Sequence, residues 1–320
     1  RAEEIEKAIE FFRTNENREM TLAEALRMSA NMAGPDSPDG LLAMPIQGIE
    51  AEGRIDEMLR ALNDPAGRIK TALPPRDLQG TLRPYQLRGV SWLEYLHSLG
   101  FGACLADDMG LGKTVELIAF LLRQREKNLS SNANTPARSK PSLLICPMSV
   151  AGNWQRELQR FAPGLKVHLH HGQDRLCGQD FQEAATESDV VVTTYALAQR
   201  DEEELCASSW GNLVLDEAQN IKNRFAHQTK SIKKIKADYR IALTGTPVEN
   251  RLSELWSILD FLNPGFLGSP ESFRKEFVLP IEKHKNQSRS ERLRATVQPF
   301  ILRRLKTDAS VISDLPMKTE

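Results

Sequence analysis

The nine residues ADDMGLGKT (Ala106–Thr114) decide the fold. They follow a short apolar run, ACLA (Ala103–Ala106), and lead into TVELIAFLLRQ (Thr114–Gln124), whose apolar residues recur at helical spacing. A strand, a glycine-bearing turn and a helix in that order make a phosphate-binding loop when the turn carries Gly-Lys-Ser/Thr. Gly112, Lys113 and Thr114 match that pattern, and Gly110 adds freedom earlier in the turn. Asp107 stands where the pattern has its first glycine. Glycines let backbone N–H groups close around phosphate oxygens. The helix N-terminus adds its partial positive charge. Lys113 is expected to reach the terminal phosphates, and Thr114 to offer its hydroxyl to Mg²⁺.

Further strands are predicted on both sides of this loop. SLLICP (Ser142–Pro147), VHLHH (Val167–His171), DVVVTTY (Asp189–Tyr195), NLVLDEA (Asn212–Ala218) and RIALTGTP (Arg240–Pro247) are short apolar runs separated by helical stretches. Continuous apolar strands alternating with helices predict an α/β fold, a parallel sheet covered on both faces. Ligands then bind beyond the carboxyl ends of the strands. NLVLDEAQN places Asp216 and Glu217 at such an end. Asp216 can hold Mg²⁺ and Glu217 can orient and deprotonate an attacking water. An acidic pair alone is common capping chemistry. About 100 residues after a phosphate loop, it points to a nucleoside triphosphatase.

Composition narrows the classes. The 320 residues are 40% hydrophobic and 27% charged, with a net charge of −1, so no global basic field draws in polyanions. Any nucleic-acid site must be a local patch. The four cysteines (Cys104, Cys146, Cys177, Cys206) contain no C-x-x-C pair, which excludes the usual zinc spacings and a disulfide framework. No apolar run reaches the ~18 residues of a membrane span, so no membrane partner is expected. His170 and His171 lack further ligands at suitable spacing and read as structural. Met28 and Met32, four residues apart, read as core or contact residues.

The charge is uneven. Residues 1–60 hold 7 basic and 13 acidic side chains. Ile5, Ile9 and Phe12, the Thr21–Glu24 capping box and GRIDEMLRAL (Gly53–Leu62) predict a small helical accessory region over residues 1–62. Its acidity against the positive remainder would let it fold over a basic face. The proline- and glycine-bearing stretch 63–80 reads as a linker, residues 81–265 as the nucleotide-binding lobe and 266–320 as a helical extension. SSNANTPARSKP (Ser130–Pro141) reads as a polar loop.

LRPYQLRGVSWL, ADDMGLGKT, LLICPMSVAGNW, TTY, LDEAQNIKN, LTGTPVENRLSELWSILDFLNPGFLG and FILRRLKTD follow one another from residue 82 to residue 308. In content and order they resemble the first motor lobe of the Swi/Snf-type DNA translocases of helicase superfamily two. The pairing with an N-terminal helical stretch resembles the bacterial and archaeal branch. The resemblance implies a RecA-like lobe that uses ATP and Mg²⁺. Gln86 matches the glutamine that recognises adenine, and Gly110, Gly112, Lys113 and Thr114 match the phosphate motif. The family itself usually carries an acidic residue near Asp107. Asp216 and Glu217 match the Mg²⁺-holding and water-activating carboxylates. Gln219 replaces the histidine of many relatives. Thr244, Gly245 and Thr246 match the motif linking nucleotide to DNA. Pro147, Ser149 and Trp154, with Thr193, Thr194 and Tyr195, match motifs that track a DNA strand, and Arg251 is a further basic candidate.

The resemblance also implies a second RecA-like lobe carrying arginine fingers, which these 320 residues do not contain. The chain alone is therefore expected to bind ATP weakly and hardly to hydrolyse it. NIKNRFAHQTKSIKKIKADYR (Asn220–Arg240) carries seven basic residues and one acidic one. It reads either as a phosphate-contacting stripe or as a solvated helix face with Ile232 and Ile235 turned inward. Contacts to the backbone of double-stranded DNA would be independent of sequence and sensitive to salt. Three alternatives stay open: a strand-separating RNA or DNA helicase of the same superfamily, a nucleotide-binding regulatory module that never hydrolyses, and a structural scaffold. A cytoplasmic location is expected, on the nucleoid in a bacterium or in the nucleus in a eukaryote.

Overall fold

The computed structural model describes residues 69–131, 139–245, 251–308 and 311. The expected accessory helices over 1–62, the first part of the linker, Met28, Met32, residues 132–138 of the polar loop and Thr246 lie outside the described residues. The chain divides into two compact units, one of them residues 69–263 together with the stretch from Phe300 onward.

That unit holds the predicted parallel sheet, with bounds that differ from the expected 81–265 at both ends. Its strands are β1 (Ala103–Leu105), β2 (Ser142–Cys146), β3 (Val167–Leu169), β4 (Val190–Thr194), β5 (Trp210–Asp216), β6 (Ala237–Leu243) and β7 (Ile301–Leu302). All pair in parallel, in the order β3-β4-β2-β5-β6-β1-β7. The helices are α1 (Pro84–Ser98), α2 (Lys113–Ser131), α3 (Met148–Phe161), α4 (Gly178–Glu187), α5 (Tyr195–Arg200), α6 (Glu202–Ala207), α7 (His227–Lys234) and α8 (Leu252–Leu262). The fold is RecA-like.

The apolar runs explain the sheet. Leu143, Ile145, Val191, Val192, Leu213, Val214, Leu215 and Ile241 are fully buried or nearly so, as strands covered on both faces require. Cys104 and Cys146 are buried in it as free thiols. Between β1 and α8 the backbones approach closely at Gly102. A Cβ there would stand 2.5 Å from the Leu262 carbonyl oxygen. Gly102 N–H donates to Asn263 Oδ1 at 2.9 Å, which locks the two elements together.

The topology gathers the motifs. Register pairs Leu105 with Leu243, Leu243 with Asp216, and Cys146 with Thr194. The chain leaving β1, β2, β4, β5 and β6 therefore emerges along one edge, and the phosphate loop, the Pro147–Trp154 stretch, Thr193–Tyr195, the acidic pair and Thr244–Gly245 lie there.

The expected helical extension over 266–320 divides. Residues 264–299 belong to the second unit. It contains a short helix α9 (Pro270–Phe273), a π-helix (Arg274–Lys283) and α10 (Gln287–Val297). Ser269 caps α9, its hydroxyl accepting from Ser272 N–H, and Asn286 caps α10 by accepting from Arg289 N–H. Arg289 and Arg292 share Glu276 at 3.2 and 2.7 Å. After Pro299 the chain is again part of the lobe, where β7 covers the edge of β1.

Candidate active site

The phosphate loop is shaped by two glycines in the left-handed region, Gly110 at φ 83° and Gly112 at φ 91°. Gly112 is also required by close approach, since a Cβ there would lie 2.3 Å from Gln86 Nε2. Gln86 Nε2 donates to the Leu111 carbonyl (3.0 Å), and Tyr85 Oη donates to the same oxygen (2.9 Å). Gln86 Oε1 accepts from Arg83 N–H at the start of α1 (2.9 Å). The glutamine expected at adenine thus joins α1 to the phosphate loop. Tyr85, Leu111 and Val311 pack as one buried group beside it.

Lys113 opens α2, and its ammonium donates to the Asp107 carbonyl (2.5 Å) and to that of Asp108 (3.3 Å). It is held over the loop, and Thr114 follows it in the first turn of the helix. Asp107, the departure from the glycine pattern, is fully buried and accepts from the Arg304 guanidinium, 3.0 Å from Nε to each oxygen. Arg304 stands 197 positions later in the chain, beyond the reach of any local motif.

The acidic pair sits at the end of β5. Asp216 Oδ2 accepts from the indole N–H of Trp154 (2.7 Å), and Oδ1 from Glu217 N–H (3.0 Å). Tyr195 Oη donates to the Asp216 carbonyl at 2.8 Å. Burial raises the Asp216 carboxyl above its usual range; the Trp154 bond opposes that rise and the charge of Glu217 adds to it. Glu217 has left-handed backbone, φ 51° and ψ 57°, uncommon for a residue with a Cβ and costing about 1 kcal/mol. Such strain persists where the surroundings fix it. Here Asn220 Nδ2 donates to the Glu217 carbonyl at 2.8 Å.

Gln219 bridges two motifs. Its Nε2 donates to Glu217 Oε2 (2.8 Å), and its Oε1 accepts from the Thr244 hydroxyl (2.9 Å). The amide orientation follows from these partners, since only this way round are both satisfied. Thr244 N–H donates to the Leu105 carbonyl (3.1 Å), so the bridge reaches β1. Gly245 lies against Met109 of the phosphate loop, with Met109 Cγ 3.4 Å from where a Cβ would stand.

The residues expected along DNA divide. Ser149 and Arg251 are exposed. Trp154, Thr193, Thr194 and Tyr195 are buried. Trp154 and Tyr195 direct their polar atoms to Asp216, and Thr194 caps α5 by accepting from Leu197 N–H at 3.3 Å. These four side chains build the edge from within rather than lining its surface. In α7, Ile232 and Ile235 are buried, Lys233 pairs with Asp260 (2.7 Å) and Lys234 with Glu202 (2.6 Å). Lys234 fits the solvated-face reading, whereas Lys233 is largely covered and lies over the Trp256 ring. His170 is fully buried and bonded to Asp201, which also takes Arg175. Among the described residues no group of three or more His, Cys, Asp or Glu could hold a metal, and no helix is long and apolar enough to cross a membrane.

A hard cation bound through waters and phosphate needs only one or two protein oxygens. The Thr114 hydroxyl and Asp216 carboxylate supply that donor set, and the Gly110–Gly112 cradle with Lys113 supplies the phosphate end. These residue types suit a Mg²⁺-bound triphosphate.

Residues 85–320 match the family described as the SNF2-related domain. YwqA of Bacillus subtilis, described as a candidate ATP-dependent helicase/translocase, is 51% identical over 242 residues, 76% of this chain and 25% of that protein. The TATA-binding protein-associated factor MOT1 of Saccharomyces cerevisiae is 36% identical over 312 residues, 93% of this chain and 16% of its own length. A solved SWI2/SNF2 ATPase core from Sulfolobus solfataricus, in complex with dsDNA, superposes with a TM-score of 0.66 at 46% identity. That match covers 76% of this chain and 48% of the other. The chain spans a quarter or less of the length of these curated relatives. With the phosphate loop, the paired carboxylates and the Gln219 bridge in one edge of a RecA-like sheet, the chain belongs to the SNF2-related family of ATPase motor domains.

Proposed function

We propose that this chain is the first motor lobe of an ATPase that is driven by, and moves along, double-stranded DNA. The observation that carries the reading is the Thr244–Gln219–Glu217 chain of hydrogen bonds. It joins the water-activating carboxylate to the strand end expected to sense DNA, so a shift at one is felt at the other. Duplex DNA is favoured because the archaeal relative at 46% identity was solved with dsDNA.

The residues divide the work. Lys113 leaves the carbonyls of Asp107 and Asp108 to hold the terminal phosphates, where its charge matters most as negative charge builds. Mg²⁺, when bound, neutralises phosphate charge and fixes the geometry of the leaving group. Trp154 and Glu217 N–H fix the Asp216 carboxylate, which would hold the cation without first having to be oriented. Glu217, held by Gln219 at Oε2, keeps Oε1 to accept the proton of the attacking water. A second lobe would contribute arginine fingers, worth about 10³ to 10⁵ in rate in related phosphoryl transfer. The lobe alone is expected to bind Mg·ATP and turn it over slowly.

Steady-state ATP turnover by the full-length protein tests the reading, with duplex DNA, single-stranded DNA, RNA or none, and Glu217→Gln as the blank. Stimulation by duplex DNA is expected. Stimulation by single strands or RNA alone would move the assignment to a strand-separating helicase. Turnover in none of them would leave a nucleotide-binding module.

A further inference from the structure

The segment that re-enters the lobe, residues 300–306, is bonded along the phosphate loop residue by residue. Ala106 N–H donates to the Leu302 carbonyl (2.7 Å), and Asp108 N–H to the Arg304 carbonyl (3.1 Å). In return Arg304 N–H donates to Asp107 Oδ1 (2.9 Å), and Lys306 N–H to Asp108 Oδ2 (3.0 Å). The end of the Lys306 side chain packs on Gly110, its Nζ 3.5 Å from where a Cβ would stand.

The Arg304 guanidinium lies at the centre. It donates to both oxygens of Asp107, to both oxygens of Glu116 in α2 (2.7 and 2.8 Å) and to the Tyr85 carbonyl in α1. It also lies over the Tyr85 ring, 5.1 Å from its centroid. Asp107 and Glu116 are both fully buried. Gly89 of α1 leaves the space: a Cβ there would stand 1.9 Å from Glu116 Oε2 and 3.0 Å from Arg304. Two buried carboxylates share one cation, so burial and Asp107 push the Glu116 carboxyl up to about 8, against the pull of Arg304. A buried cluster of this kind holds one geometry, because displacing any member strands a charge.

Asp107 stands at the position where the general phosphate loop has a freely rotating glycine. Here that position is fixed through its side chain, by a residue 197 positions away. We propose that Arg304 is a positioning residue of the nucleotide site, setting the shape of the phosphate loop through Asp107 and thereby coupling ATP affinity to the segment that follows β7. The inference rests on the ATP reading above and deepens it. Coupling is reciprocal, so bound nucleotide also tightens residues 304–306 onto the loop.

Calorimetric titration of the 320-residue chain with Mg·ATP tests it, using wild type, Arg304→Lys, Asp107→Asn and the double variant. Lysine keeps the charge and loses the fork; asparagine leaves Arg304 a neutral pair with Glu116. Each single change is expected to weaken Mg·ATP about tenfold. The double is expected to be no weaker than the worse single, because both act through one contact. Residue-level hydrogen exchange at the Arg304 and Lys306 amides is expected to slow on adding Mg·ATP to wild type, which a merely structural role would not produce. Affinities within twofold of wild type in both single variants, or exchange unchanged by nucleotide, would overturn the proposal. If Arg304→Lys loses its circular dichroism, Asp107→Asn alone decides by the same criterion. No binding by wild type would overturn the ATP reading itself; binding indifferent to both changes would sink only the role of Arg304.

Discussion

Trp154→Phe isolates one hydrogen bond on which the acidic motif depends. The indole N–H lies 2.7 Å from Asp216 Oδ2, and Trp154 is 3% exposed. Phenylalanine keeps an aromatic ring in the site and removes the donor. A hydrogen bond to a charged group contributes about 1.5–3 kcal/mol, and one to a neutral group about 0.5–1.5 kcal/mol. The smaller ring leaves a void worth on the order of 1 kcal/mol more. The expected cost at pH 7.5 is therefore about 2.5–4 kcal/mol. Part of that cost depends on pH. Burial raises the Asp216 carboxyl in the folded lobe, so its ionisation there costs stability as pH rises through the folded value. The Trp154 bond lowers that value, and the variant loses this help. The variant's deficit should grow with pH, by about 1–2 kcal/mol between protonated and ionised Asp216. Urea unfolding of both proteins, followed by circular dichroism at several values from pH 4.5 to 7.5, reads the difference. A deficit that is constant across that range, or below 1 kcal/mol at its top, would refute the claim that Trp154 holds an ionised Asp216.

Two further outcomes follow from the same geometry. Glu116, raised to about 8 from an unfolded value near 4.5, contributes stability that is present at low pH and lost as pH rises from about 4.5 through 8. Glu116→Gln should remove that slope, so unfolding curves at pH 5 and pH 8.5 should lie closer together in the variant; an unchanged slope would contradict the buried shared charge. Gln219→Leu deletes the bridge between Glu217 and Thr244 while keeping the volume. Loss of a bond to a charged group, about 1.5–3 kcal/mol, should lower DNA-stimulated turnover by about 10- to 100-fold with Mg·ATP affinity within twofold, and an equal loss of both would show that the bridge holds structure only.

The parts of the fold that announce themselves are those with local signals. Five strands are readable as apolar runs ending in a motif, β3 as the short run VHLHH with no such motif, and α2 because its apolar residues recur after Gly-Lys-Thr. β7 is not, since two residues (Ile301–Leu302) carry no period. Arg304 reads in the sequence only as one of the basic residues of the C-terminal stretch, ambiguous as a nucleic-acid contact, because its partners Asp107 and Glu116 lie 197 and 188 positions earlier. No local pattern spans such separations. The signal was the acidic residue at a glycine position beside a fully apolar strand, which demands a cation somewhere. Trp154 and Tyr195 sit in motifs tied by resemblance to DNA, yet each places its one polar atom on the Asp216 residue. An aromatic with a single polar handle, near a buried carboxylate, reads equally well as its support. The left-handed Glu217 had no signal, since no glycine marks it.

Binding of Mg·ATP to the 320-residue chain, wild type against Lys113→Ala, tests the central claim most directly. A single site per chain is predicted by calorimetry, weakened at least tenfold when the Lys113 ammonium is removed while the unfolding transition stays in place. Binding of equal affinity in both proteins, or heat from neither, would contradict the assignment of Ala106–Thr114 as the phosphate loop of an ATPase.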